Sequence, residues 1–195
     1  MELRSVAVYC GSSSGTDPAL AAAAAELGEV LAAQEIALVY GGGRVGLMGV
    51  VADAVLASGG QVTGVITEAL AAREVAHRGV TDLVIVATMH ERKAMMSARA
   101  DAFIALPGGY GTLDELFEAV TWTQLGVHAK PCGLLDTTGF FEHLLSFLDV
   151  AVEQGFVRAE HRHLLLHESD ASVLLDRFRA WLPVSTAKWT DGVRP

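Results

Sequence analysis

Residues able to do chemistry concentrate in two stretches of this chain. The first is Pro107-Gly108-Gly109-Tyr110-Gly111-Thr112-Leu113-Asp114-Glu115. It follows the apolar run 102–106 and leads into Leu116-Phe117-Glu118-Ala119-Val120-Thr121-Trp122, whose apolar spacing fits a helix. A glycine-rich turn thus joins a strand to a helix. Glycines let the backbone approach a ligand closely, and the first helical N–H groups lack partners within the helix, so such a turn suits an anion and above all a phosphate. Glu115 adds a carboxylate one helical step beyond Thr112, about 4.5 Å further along the axis and on nearly the same face. That offset is comparable to the reach from a 5′-phosphate across a ribose. A carboxylate there can stabilise a sugar cation or help water attack it. The plain structural alternative makes Thr112 an N-cap, and Asp114 and Glu115 first-turn acids that the helix dipole keeps ionised.

The second stretch is Met89-His90-Glu91-Arg92-Lys93, which follows a strand-like run at 83–87 and opens a helix. Adjacent cations most often lie on a solvated helix face. Arg92, however, offers a planar fork matched to phosphate or carboxylate. It either holds a phosphate or steadies Glu115.

The elements that must position these stretches alternate regularly. Apolar runs predict strands at 6–10, 36–40, 62–66, 83–87, 102–106, 132–135 and 163–166. Helical spacing predicts helices at 18–33, from the glycine segment 41–49 to 58, from 89, from the motif to 125, and at 140–154 and 171–181. Asp17-Pro18 and Gly126 supply a start and a stop signal. The stretch 71–79 is irregular. Strand-helix alternation with long crossovers implies an α/β fold, a doubly wound parallel sheet of about seven strands with helices on both faces. In such a sheet ligands collect beyond the carboxyl ends of the strands, where both stretches begin. One domain is expected over 1–182, with a loose tail at 183–195 that shows no periodicity.

The chain has 195 residues and a formal net charge of −9, so a nucleic-acid partner is not expected. No apolar run approaches the roughly 20 residues needed to cross a bilayer, and the start lacks a signal-peptide layout. Cys10 and Cys132, the two cysteines, fit a reducing compartment, and a cytoplasmic location is expected.

Three further patterns are weaker. Gly11-Ser12-Ser13-Ser14-Gly15 matches a nucleophile elbow, but the helix signal follows too late for Ser13 to act as one. Gly41, Gly43 and Gly46 satisfy G-x-G-x-x-G, yet after the second strand and with only Glu68 as the later acid, so a tight turn with close helix packing is favoured over dinucleotide binding. His161, His163 and His167 could share one side of a strand, but no second cluster supports a metal site. No metal is expected.

The two chemical stretches together resemble the paired signature M-H-x-R-K and P-G-G-x-G-T-x-x-E of the LONELY GUY family, cytokinin riboside 5′-monophosphate phosphoribohydrolases once mislabelled as lysine decarboxylases. The likeness runs from the Cys10-Gly11-Ser12-Ser13 loop to Lys130-Pro131, with Asp114 where the family often has glutamate. It implies a Rossmann-like fold, commonly dimeric, that hydrolyses the N-glycosidic bond of an adenine nucleotide monophosphate without a cofactor. Carried over residue by residue, Arg92 and Glu115 are catalytic. Glu74, Met89, Arg92, Lys93, Gly108, Gly109, Tyr110, Gly111, Thr112, Leu113, Asp114, Glu115 and Thr121 bind substrate. A non-catalytic nucleotide or phospho-cofactor carrier is the competing class, and would not need both Arg92 and Glu115. A decarboxylase would need a lysine for pyridoxal phosphate, from Lys93, Lys130 and Lys188.

Overall fold

The computed structural model describes residues 1–73 and 76–182. Its centre is a seven-stranded, all-parallel sheet made of β1 (Ser5–Tyr9), β2 (Ala37–Tyr40), β3 (Val62–Thr67), β4 (Asp82–Val86), β5 (Ala102–Ala105), β6 (Cys132–Leu135) and β7 (Leu165–Glu168). The strands lie in the order β4-β3-β2-β1-β5-β6-β7. The helices are α1 (Pro18–Ala33), α2 (Gly46–Ala57), α3 (Glu68–Ala71), α4 (Met89–Arg99), α5 (Tyr110–Gln124), α6 (Glu142–Glu153), α7 (Ala159–Arg162) and α8 (Ala171–Arg179). The doubly wound α/β expectation and its strand count hold.

Successive strand residues point to opposite faces, so a parallel sheet covered on both sides needs two cores. Val6, Val8, Leu38, Tyr40 and Ile104 face α1, α2 and α8, where Leu27, Val51 and Phe178 are fully buried. Ala7, Tyr9, Val39, Phe103 and Ala105 face the other layer, where Met96 of α4 and Leu116 of α5 are fully buried. β1 is central, with Val8 opposite Tyr40 of β2 on one side and Ile104 of β5 on the other. Winding proceeds outward from β1 to β4, then returns to β5 and continues to β7 on the other flank. The loops after β1 and β5 therefore diverge over one crevice, where open α/β sheets bind ligands.

Some predicted boundaries move. The glycine segment does not remain a loop, because α2 already begins at Gly46. The last strand lies two residues later than its apolar run, since 159–162 form the short α7 and His163 is its C-cap. His161 is buried on α7 and His167 sits on β7, so the three histidines do not share a strand. Among the described residues no group of three or more potential metal ligands comes together, and no helix is long and apolar enough to cross a membrane. The tail at 183–195 lies outside the described residues.

Gly46 ties the fold to the crevice. It has φ +62°, and a Cβ there would lie 2.3 Å from the carbonyl carbon of Ser12 in the loop after β1. Leu47 N also donates to Gly11 O at 3.1 Å. Gly46→Ala is expected to lower the unfolding free energy by about 3 kcal/mol, from left-handed backbone strain and overpacking together. A urea unfolding midpoint equal to the parent's would contradict this close approach.

Candidate active site

Three loops meet at the crevice. Leu106 N donates to Tyr9 O at 2.9 Å, Gly11 N donates to Pro107 O at 3.1 Å, and the Gly11 carbonyl receives Leu47 N. They enclose a cleft of about 240 Å³ lined by Cys10, Ser12, Met48, Arg92, Thr112 and Glu115, with Gly109, Tyr110 and Gly111 along its rim.

The motif helix starts earlier than the plain structural alternative required. Gly109 is the N-cap of α5, so Tyr110 is its first helical residue and Thr112 its third. Thr112 is buried, and its hydroxyl lies against Gly108 rather than capping the helix. With no side chain at the cap, the first-turn N–H groups of α5 remain available to an outside acceptor. Neither Asp114 nor Glu115 belongs to the first turn. The dipole acts mainly within that turn, so it is not what governs the ionisation of Glu115.

Burial governs it instead. The Glu115 side chain is 13% exposed, and its Oε1 lies 3.3 Å from Nη1 of Arg92. Burial raises the Glu115 pKa above its ordinary value; the Arg92 charge opposes that rise without cancelling it. The Cys10 thiol beside it is also pushed up, by burial first and then by the Glu115 charge.

Arg92 is held from three sides. Its Nε donates to Val65 O at 2.9 Å, and Nη2 donates to Gly41 O at 3.1 Å, both at carboxyl ends of strands. Nη1 faces Glu115 and the Met89 sulfur, the latter at 3.5 Å. Three of its five donors thus meet the protein in hydrogen bonds, and Nη1 also pairs with Glu115. Arg92 thus pairs with Glu115 and also lines the cleft, so both roles open to it from sequence fit its position.

Other expected site residues go elsewhere. Lys93 bonds Asp114 at 3.2 Å and Glu118 at 3.1 Å, and it does not line the cleft. Leu113, Asp114 and Thr121 line an outer groove of α5 with Phe117, Glu118 and Trp122. Met89 is 42% exposed and reaches the cleft only through Arg92. Glu74 lies outside the described residues. Sequence reasoning missed Cys10 and Met48 as lining residues, although Cys10 closes the first strand-like run and Met48 follows the glycine segment. It also missed Glu118, whose i,i+4 spacing from Asp114 puts both on one helix face.

A family model described as possible lysine decarboxylase matches residues 48–178. The chain is 51% identical over 181 residues to a probable cytokinin riboside 5′-monophosphate phosphoribohydrolase, LOGL9, of Oryza sativa subsp. japonica, covering 93% of this chain and 80% of that protein. The chain belongs to the LONELY GUY family. A second LONELY GUY relative, the cytokinin riboside 5′-monophosphate phosphoribohydrolase LOG2 of Arabidopsis thaliana, is 47% identical over 180 residues, 92% of this chain and 84% of that protein. The molybdenum cofactor carrier protein of Chlamydomonas reinhardtii superposes with a TM-score of 0.69 at 19% identity, covering 92% of this chain and all of that one. At that identity the likeness shows that the LONELY GUY fold is shared, and nothing about ligands.

The burial of Glu115 has a measurable consequence for stability. As pH rises above 4.5, the ordinary Glu value, the unfolded chain releases this proton before the native protein does. The native state then binds more protons, so this group's contribution to stability falls with rising pH until Glu115 ionises in the fold. Urea unfolding of Glu115→Gln should lack that share of the slope, gaining on the parent as pH climbs above 4.5. Parallel pH profiles for the two proteins would contradict a raised pKa.

Proposed function

We propose that the chain hydrolyses the N-glycosidic bond of cytokinin riboside 5′-monophosphates, and of AMP as the unmodified analogue, to a free adenine-type base and ribose 5-phosphate. The single observation that carries this reading is the buried Glu115–Arg92 pair, set in the same cleft as the uncapped N-terminus of α5. The phosphate binds the first-turn N–H groups at Tyr110, Gly111 and Thr112. The ribose then extends toward Glu115, which lies about 7.5 Å along the axis from Tyr110.

When the C1′–N bond breaks, its electron pair leaves with the base and positive charge develops on the sugar. The ionised Glu115 carboxylate stabilises that charge. Water adds to C1′ and gives its proton to Glu115, while the departing base takes up a proton from solvent, to which Glu115 then returns the one it received. Arg92 holds the carboxylate in place and in its charged form. Because the reacting form is ionised, activity rises with pH through the raised Glu115 pKa.

Gly111 supports the phosphate reading. It is the second residue of α5, and a Cβ there would meet nothing within 4 Å. Alanine within a helix is favoured over glycine by roughly 0.5–1 kcal/mol, so the position gives up helix stability while leaving its backbone open to an approaching group. The decarboxylase description asks for a lysine at the cleft. Lys93 turns to two acids, Lys130 Nζ donates to Ser97 O at 2.6 Å, and Lys188 lies outside the described residues.

The chain is read as a homodimer that closes over the outer groove of α5, and as a cytoplasmic protein. Sedimentation at twice the chain mass checks the dimer. Incubation with isopentenyladenosine 5′-monophosphate and AMP should release free base and ribose 5-phosphate. A folded sample that binds both and cleaves neither would falsify the hydrolase reading. Glu115→Gln is expected to lower kcat about 10³-fold or more with binding largely kept. Gly111→Ala should weaken binding of nucleotide monophosphates while raising the thermal midpoint; intact affinity would remove the phosphate from this helix end.

A further inference from the structure

Arg92 is seated partly by backbone that has no side chains of its own to hold it. Gly41 O, which receives Nη2 of Arg92 at 3.1 Å, opens the run Gly41-Gly42-Gly43. Glycine is the least restricted residue, so such a run keeps one shape only when bonds from outside hold it. Nor can the seat be stiffened by a side chain, because the guanidinium fills the space a Cβ on Gly41 would take.

The restraint comes from the segment 76–79, which belongs to none of the seven strands. Ala76 forms an isolated antiparallel bridge with Gly43, and His77 N donates to Gly42 O at 3.0 Å. Two successive carbonyls of the run are therefore occupied, one by Arg92 and the next by His77. The segment is anchored in turn by the buried His77 ring. Gly79 N donates to Nδ1 at 3.2 Å, so the proton of the neutral ring sits on Nε2, 2.9 Å from Oδ1 of Asp53 on α2. With both nitrogens engaged the ring is held firmly, since losing either partner would leave a buried donor or acceptor unmet.

We propose that Asp53 and His77 form a latch that holds the glycine run in the shape Arg92 needs, and so set Arg92 against Glu115 from outside the cleft. The link runs from Asp53 through the His77 ring and main chain to Gly42, then from Gly41 O to Arg92 and Glu115. Neither latch residue lines the cleft; both face a cavity of about 540 Å³ on the α2 side. They are positioning residues for the reaction proposed above, on which their kinetic effect rests. Two amides separate the bonds of the ring. Gln at 77 places an N–H donor near the site of Nε2 and keeps the Asp53 bond, whereas Asn places an oxygen near the site of Nδ1 and keeps only the Gly79 bond.

The experiment compares the full chain with Asp53→Ala, His77→Gln, His77→Asn and the double variant His77→Asn with Asp53→Ala. Asp53 has a side chain 68% exposed, so its replacement leaves the core untouched. Each protein is assayed with isopentenyladenosine 5′-monophosphate, and solvent exchange of the Arg92 Nε–H, which is bonded to Val65 O, is followed by nitrogen NMR. Asp53→Ala and His77→Asn should each lower kcat about tenfold with KM within about twofold, and speed the Nε–H exchange about tenfold. His77→Gln should stay within about threefold of the parent in both, and the double variant within about twofold of either single one, because both cut the same link. Unchanged kcat and unchanged Arg92 exchange in Asp53→Ala and His77→Asn, even with a lower urea midpoint, would make the pair a purely structural contact and overturn the latch. A KM raised about tenfold or more with Arg92 exchange unmoved would make 76–79 a substrate-binding segment and overturn it as well. A parent that cleaves no nucleotide, while exchange quickens in Asp53→Ala and His77→Asn but not in His77→Gln, removes the hydrolase reading and upholds the latch.

Discussion

A guanidinium buried among backbone carbonyls is the interaction on which this site depends. Taking Arg92 out of water is expensive unless its donors are met and its charge is paired. Val65 O and Gly41 O meet two directions of the fork, and Glu115 supplies the opposite charge. Losing one partner of such a pair strands a buried charge, which typically destabilises by about 3–5 kcal/mol. The carboxylate is thus held where desolvation raises its pKa, and Arg92 keeps that rise in check. Stability and the ionisation of Glu115 are set at this point by the same two side chains.

The sheet makes that pairing possible. Gly41 follows β2 and Val65 belongs to β3, whereas Glu115 rides on the helix after β5. These come together because β1 is flanked by β2 and β5, so chain segments far apart in sequence end over one crevice. Both cores hold the layers in register: Met96 fixes α4 and Leu116 fixes α5 against the same face of the sheet. Arg92 and Glu115 are carried on helices anchored by those neighbours.

Much of this was legible in the residues. Short apolar runs at near-even spacing gave the strands, because a parallel sheet buried on both faces leaves a continuous apolar signature. The glycine turn before Glu115 marked the site, since close backbone approach and free N–H groups are properties of sequence-local geometry. What could not be read was the partner of each charge. Lys93 and Arg92 are adjacent in sequence, yet one enters the cleft wall and the other binds two acids on an outer face, a difference set by the α4–α5 packing. Thr121 shares a helix with Glu115 but lies on its exposed side. Boundaries near α7 and β7 moved because a polar turn of helix precedes the last apolar run, and period alone does not resolve so short an element.

The acceptors that seat Arg92 belong to the main chain. Every amino acid carries a carbonyl, so a changed side chain at residue 65 leaves an oxygen there to receive the fork, whereas residue 41 must stay glycine, because a Cβ there would lie 2.1 Å from Nη2 of Arg92. Vulnerability to inherited change is therefore uneven along the socket: it tolerates drift at 65 but not at 41, and the plug can be lost by altering a single codon.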